Sequence, residues 1–485
     1  VTLTDDRASR ASARKAAAVS SPVEAGRSSN SSGVNVPGGT AKSNQGLRNM
    51  ELWLLLFALG IMFAALLLVQ LGARGEVDWN VITLTGGVAV LVLALHTVLR
   101  IRAPKADPFI LPIATVLNGL GIAMIYRLDL AEPANAGVFL TDSTGQIIYT
   151  AIGVIAGIAT LILLKNHRVL QRYTYVFMVT AIVLLLLPLI PGLGVADANA
   201  RVWISVAGFS FQPGEIAKIC LAVFFAGYLV TARESIEMVG PKILGIRFPR
   251  MKDLAPIVVV WLACMGVLVF QRDLGTSVLY FGLFVIMLYV ATNRLSWVIF
   301  GAVLIAIGGV IAYNTMDYVH FRVQAWLDPF DPEIYNAPGG SYQLVQGMFG
   351  LANGGTIGTG LGQGRPHTTP LAESDFILVA LGEELGLAGL VAILTLFLIL
   401  VARGFRIGHQ GVDDFGRLLA TGLSFLIALQ VFVVAGGVLR VIPLTGLTTP
   451  FMAAGGSSLL ANWIIVAILL RLSDTIRTEP KGAGA

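Results

Sequence analysis

Apolar positions along this chain come mostly in unbroken runs rather than in the alternation of a half-buried strand or the stripe of a surface helix. Runs of roughly 17–25 residues, enough to cross a bilayer, are centred near Phe63, Val90, Val116, Ile155, Ile182, Phe224, Val260, Phe284, Leu304, Leu394, Phe425 and Val466. The pattern predicts an all-α polytopic membrane protein with about 12 transmembrane helices. Most connections are short, and three segments on one side of the bundle are not. Residues 127–145 read as a spacer, and 191–213 contain "ANARVWISVAGFSFQP", whose alternation suits a segment lying in the membrane interface. The longest, 314–375, precedes the tenth helix, and loops of that length are usually functional. Within it, "DYVHFRVQAWLDPFDP" is amphipathic in its first half and ends in Asp-Pro turns. "GGSYQLVQGMFGLANGGTIGTGLGQG" has helically spaced apolar residues and then a glycine run. That run fits either a phosphate- or sugar-contacting loop or tight turns against the bundle.

Composition agrees with a lipid solvent: 56% of residues are apolar and 13% charged, with mean hydropathy +0.80, against about 45–50% and about 25% in ordinary soluble domains. An even number of spans places both termini on one side. Assigning the N-terminus to the cytoplasm puts 18 Lys/Arg in cytoplasmic segments and 7 in external ones beyond residue 48, with Lys218 inside a helix. The positive-inside rule therefore orients the chain with cytoplasmic termini and the long loop outside. Residues 1–48, rich in Ser, Ala and Gly with scattered Arg, read as a disordered basic cytoplasmic tail that either touches anionic lipid or is merely solvated. Cys220 and Cys264 lie apart in apolar runs, and the five histidines show no ligand spacing, so no protein-built metal site is expected.

Charges inside apolar runs carry the chemistry. In "PLAESDFILVALGEELGLAGL" (370–390), Asp375 stands where the long loop enters the tenth helix, and Glu383 and Glu384 lie well inside it. Buried carboxylates must face the bundle, a polar cavity or a cation. They read equally as a helix-helix clasp, and the GxxxG spacing of Gly382 and Gly386 would let a neighbouring helix approach. In "FQPGEIAKI" (211–219), Pro213 opens a helix with Glu215 in its first turn and Lys218 at i+3. That pair is either an ion pair at the helix entrance or a lysine turned toward an anionic head group. Arg201 and Trp203 suit an interfacial cation and aromatic anchor, and Arg272 and Asp273 in "QRDLGTS" suit a structural turn.

Taken in order, five motifs resemble the SEDS proteins, the RodA and FtsW group of bacterial cell-wall polymerases. "ARVWISVAGFSFQPGEIAK" resembles the family's G-A-x-R-W…F-Q-P-S-E-x-x-K, "QRDLGTS" its Q-P-D-L-G-T, and "SYQLVQGMFGLANGGTIGTGLGQG" its Y-Q-x-x-Q-S…G-G-x-x-G-x-G. "AESDFILVALGEELGLAG" resembles P-E-x-H-T-D-F-I-F…E-E-L-G-x-x-G, and "PLTGLTTPFMAAGGSSLL" resembles P-x-T-G-x-P-L-P-F-x-S-Y-G-G-S-S. Gly214, Arg272, Ser374 (after a missing His), Ala453 and Ala454 depart from the family's usual residues, and none of these departures removes a titratable residue assigned to catalysis. The "LAESDFI" and "GLGQGRP" forms look closer to elongation-type RodA proteins of actinobacteria than to FtsW.

The resemblance implies a ten-helix core over 109–473 behind an added helix pair at 49–108, with a cytoplasmic tail at 474–485. It implies a glycosyltransferase of the bacterial cytoplasmic membrane that polymerises lipid II on the outer face during elongation and releases undecaprenyl pyrophosphate. Asp375 matches the family's essential aspartate. As a base it would accept the proton of the acceptor GlcNAc 4-hydroxyl attacking the donor MurNAc anomeric carbon with inversion. Arg201, Lys218, Arg322 and Arg365 are candidate cations for the departing pyrophosphate, alongside a loosely held Mg²⁺ or Mn²⁺. The implied partners are a class B penicillin-binding protein, other elongation proteins and membrane lipid, with no nucleic acid. The competing readings are a lipid II flippase, an FtsW-type division polymerase and a non-catalytic scaffold.

Overall fold

A computed structural model describes residues 39–131, 141–197, 200–206, 209–237, 242–243, 246–247, 251–411 and 413–478. Residues 43–478 belong to one compact unit, and of the first 42 residues only the opening turn of a helix is described. The expected disordered tail therefore falls mostly outside the described residues, but its last ten are helical. The helices are α1 (Gly39–Ala73), α2 (Trp79–Arg102), α3 (Ile110–Asp129), α4 (Asp142–Leu163), α5 (Arg168–Arg172), α6 (Thr174–Leu186), α7 (Pro213–Glu237) and α8 (Met251–Gln271). They continue as α9 (Leu274–Thr292), α10 (Ser296–Thr315), α11 (Asp317–Leu327), α12 (Pro332–Asn336), α13 (Tyr342–Gly354), α14 (Ile377–Gln410), α15 (Asp414–Val438) and α16 (Gly456–Thr478).

Each of the twelve apolar runs falls in a helix. Ten helices are long and apolar enough to cross a membrane among the described residues, and Thr174–Leu189 and Val258–Gln271 are shorter apolar helices. Local chemistry sets the ends. Asp78, Thr141, Asp273 and Asp413 cap α2, α4, α9 and α15 by accepting from backbone N–H groups of the first turn. Asn293 closes α9 in the left-handed conformation. Packing runs through α16 on α4, α14 on α15 and α13, and α7 on α6 and α9. α3 is buried almost throughout, whereas α10 buries little beyond Trp297 and Gly301. Small residues permit the close approaches: a Cβ on Gly119 would lie 2.6 Å from Met62, and one on Gly422 2.6 Å from the Met287 sulfur.

Three expectations change. The alternating segment after α6 is an antiparallel sheet of β1 (Gly194–Asp197), β2 (Ala200–Val206) and β3 (Phe209–Phe211), with Val195 opposite Trp203 and Ile204 opposite Phe211. Its alternation was that of a strand. The long segment before α14, by contrast, folds as its amphipathic and helically spaced stretches predict, into α11, α12, α13 and a 3-10 turn at Pro366–Thr368. Gly386 does not share a helical face with Gly382, because α14 breaks there at φ 69°, ψ −174°. The last span also continues to Thr478, past the expected tail boundary.

Candidate functional site

Residues 444–454, between α15 and α16, collect the charged motifs from across the chain. Arg322 of α11 donates to the carbonyls of Leu444 and Thr445 at 3.4 and 3.3 Å. Gly446, at φ 76°, leaves space beside Asp375: a Cβ there would stand 4.0 Å from Asp375 Oδ2. Leu447 packs against Gly275 in the first turn of α9, next to Asp273. Ala454 N donates to Glu373 O at 2.7 Å, tying the segment to the turn that carries Asp375. Gln430 of α15 donates through Nε2 to Thr448 O at 2.8 Å and accepts from Lys218 Nζ through Oε1 at 3.1 Å. The base candidate Asp375, the cations Arg322 and Lys218 and the carboxylate of Asp273 thus gather around one junction at one end of the bundle.

Asp375 is part-buried just before α14, and its Oδ1 accepts from the Ser374 hydroxyl at 2.7 Å. Burial holds its carboxyl above the usual aspartate range, against the opposing pull of the Ser374 hydrogen bond and the Arg322 charge. Asp273 is likewise raised, first by burial and also by Glu215, while its bonds to Thr276 and the charge of Arg322 act the other way. The sequence reading treated Asp273 as structural. It does cap α9, and it also lies within electrostatic reach of Arg322.

Pro213 opens α7 as expected, and Glu215 and Lys218 form a buried pair at 2.5 Å. With its second bond to Gln430, Lys218 has the geometry of the ion-pair reading. Arg201 is exposed on β2. Arg365 is exposed too, and its backbone N–H donates to Glu383 Oε1 at 2.9 Å. No hydrogen bond or ion pair among the described residues joins either side chain to Asp375.

Glu383 and Glu384 belong to a second cluster. Glu384 accepts from Arg127 Nε at 3.0 Å and from Gly362 N at 2.8 Å, and Arg127 Nη2 donates to Gly364 O at 2.7 Å. Glu383 Oε1 accepts from Asn353 Nδ2 at 3.0 Å. The break at Gly386 frees backbone groups, and the glycine run answers them: Thr359 N and Gly360 N donate to the carbonyls of Glu383 and Glu384 at 3.1 and 2.9 Å. Leu387 N and Ala388 N donate to Gly355 O and Thr356 O at 2.9 and 3.1 Å. This is the tight-turn alternative for the glycine run. Sequence reasoning missed Arg127, assigned to a spacer, and Gln430. A lone amide in an apolar helix was a readable signal.

Among the described residues no three His, Cys, Asp or Glu side chains converge as metal ligands. Cys220 is buried and free; the side chain of Cys264 lies outside the described set.

A family model described as "Cell cycle protein" and covering FtsW, RodA and SpoVE matches residues 109–478. The chain is 46% identical over 442 residues to the peptidoglycan glycosyltransferase RodA of Mycobacterium tuberculosis, covering 90% of this chain and 93% of that one. It is 32% identical over 381 residues to a probable peptidoglycan glycosyltransferase FtsW of Geobacter metallireducens, covering 78% and 96%. A chain of a solved peptidoglycan synthase complex, described as coordinating polymerization and crosslinking, matches 83% of this chain and 99% of its own length at 25% identity and TM-score 0.53.

Proposed function

Because the chain belongs to the FtsW/RodA/SpoVE family of cell cycle proteins, we propose that it is a peptidoglycan glycosyltransferase polymerising lipid II during cell elongation. The observation that carries the chemistry is the placing of Asp375 beside Gly446 with Arg322 anchored one and two residues away on Thr445 and Leu444. A sugar hydroxyl is a weak nucleophile until a positioned group accepts its proton. Asp375 accepts it from the acceptor GlcNAc 4-hydroxyl as that oxygen bonds to the donor MurNAc anomeric carbon from the face opposite the pyrophosphate. The anomeric C–O bond breaks, the configuration inverts, and undecaprenyl pyrophosphate leaves with the negative charge.

Arg322 is the best placed cation for that leaving group, since Lys218 is already neutralised by Glu215 at 2.5 Å. Arg201 and Arg365 are exposed and free to meet a head group at the rim. A Mg²⁺ or Mn²⁺ ion belongs to this proposal only as one carried in on the pyrophosphate; the described residues build no ligand set for it, and no step here runs through it. The orientation follows from the charge bias of the loops, with both termini cytoplasmic and Asp375 outside. The helix pair α1 and α2 precedes a core that begins near residue 109. A polymerase without an acyl-transfer motif needs a cross-linking partner, and a class B penicillin-binding protein of the elongation machinery fits that need.

Incubating the purified chain with lipid II and resolving products by size tests the reading. Ladders of glycan polymer are expected. Transbilayer movement of lipid II without polymer would favour a flippase, and neither activity would favour a scaffold.

A further inference from the structure

The matched family region starts at residue 109, so α1 and α2 lie outside it. They are nonetheless tied to the core at both ends and in the middle. At one end Arg48, 1% exposed, pairs with Glu51 at 2.5 Å and donates to Ala106 O, while Glu51 meets His96 Nδ1 at 2.7 Å. The same short segment takes Arg477, which donates to Lys105 O at 3.0 Å and to Asp107 at 2.9 Å, and Arg403, 3.6 Å from Asp107. Mid-helix, Met62 fills the place of a side chain at Gly119.

At the other end α1 stops against the glycine run. Gln363 Nε2 donates to Gly72 O at 2.8 Å. A Cβ on Gly72 would lie 3.2 Å from Gly362 Cα and strike Leu361 O. One on Gly362, at φ +83°, would lie 2.9 Å from Ala73 N and Val69 O. The two backbones therefore touch with no room for a side chain on either. On its far side the same turn is bonded to α14 through Gly362 N to Glu384 and Arg365 N to Glu383, and to α3 through Arg127, which donates to Gly364 O. The turn that presents Arg365 is held between the end of α1 and the break in α14.

We propose that α1 is a positioning element of the polymerase, its last turn, residues 69–73, fixing the 361–365 turn and so the place of Arg365 at the rim where the lipid II head group is met. This rests on the lipid II reading above. Displacing reacting groups by about 1 Å costs roughly 100-fold, so a wedge at Gly72 acts at a distance from the chemistry.

The test is steady-state polymerisation of lipid II by the purified full chain carrying Gly72→Val, Gln363→Ala, Arg365→Ala and the two pairings with Arg365→Ala. Gly87→Val, whose added side chain meets nothing within 4 Å, is the control and keeps wild-type kinetics. Gly72→Val is expected to lower kcat/KM roughly 10- to 100-fold. Gln363→Ala, the loss of one hydrogen bond, lowers it about 5-fold. In the Arg365→Ala background both effects shrink toward nothing, because the residue being positioned is gone. A merely structural role gives the same factors in either background, and that additivity overturns the proposal, as does a folded Gly72→Val with wild-type kinetics. Should Gly72→Val not fold, the Gln363 and Arg365 cycle decides alone. Wild-type protein that makes no polymer overturns the parent reading and this one with it, whereas active wild type with additive variants overturns this one only.

Discussion

Replacing Asp375 by Asn separates its chemical role from its structural one. Asn keeps the size of the side chain and an oxygen to accept from the Ser374 hydroxyl, bonded at 2.7 Å in the native chain, but it is not a base. Positioned acid-base groups are worth roughly 100- to 10,000-fold, or about 3–5 kcal/mol of barrier at 1.36 kcal/mol per tenfold. Polymerisation should fall by that much. Stability should move the other way or not at all. Burial raises the Asp375 carboxyl in the folded chain against the weaker pulls of Ser374 and Arg322, so folding disfavours its ionised form. That penalty is absent below the unfolded aspartate value and complete once pH exceeds the raised folded value. At neutral pH the Asn variant should therefore unfold no more easily than wild type, and the difference should vanish in acid. The same shift places the acid limb of the wild-type rate profile above the ordinary 3.8. Polymer assays from pH 4 to 8, with thermal unfolding in the same detergent, read all three quantities. Near-normal polymer from Asp375→Asn, or marked loss of its stability at neutral pH, would refute the assignment.

How much was legible in the sequence depended on whether the cause was local. In lipid every backbone group must be satisfied within the segment, so an apolar run long enough to span can only be helix, and all twelve run centres fall in helices. Glu215 and Lys218 were legible as a pair because i+3 spacing on a helix is local. Lys218's second partner, Gln430, is 212 residues away, and Arg127 lies 257 residues before Glu384. No periodicity links residues so far apart. Without Glu384, the cation in "IYRLDL" looked like the first residue of a spacer. The helix break was hidden for another reason: one residue at positive φ leaves the apolar pattern on both sides unchanged, and Gly386 in "EELGLAG" fits a packing glycine equally well. Asp375 was placed correctly at the head of the tenth span, but its neighbours Gly446 and Arg322 come from segments whose meeting only the fold supplies.

Three further outcomes follow from the same contacts. Lys218→Met alone strands the buried Glu215 carboxylate and should cost about 3–5 kcal/mol of stability, while Glu215→Gln with Lys218→Met should recover most of it; measured unfolding with no recovery would show that the pair does more than neutralise itself. Gly386→Ala should destabilise by about 1–3 kcal/mol through positive φ alone, and more because its Cβ would stand 2.5 Å from Ile357 C and 2.7 Å from Thr356 O; an unchanged unfolding transition would argue against the break in α14. The two glutamates should then part company. Glu384→Gln leaves Arg127, whose side chain is 8% exposed, buried without its counter-ion, and should lose about 3–5 kcal/mol of stability. Glu383→Gln should be milder: its Oε1 bonds to Asn353 and Arg365 N survive, and its Oε2 has no partner among the described residues to lose. Neither change should move the pH profile or the Mg²⁺ dependence of polymerisation, because both carboxylates belong to the clasp around the glycine run and not to the junction that holds Asp375. A shift of the acid limb in Glu383→Gln as large as the rate loss in Asp375→Asn would mean that the proton travels down α14, and the single-base mechanism would fail.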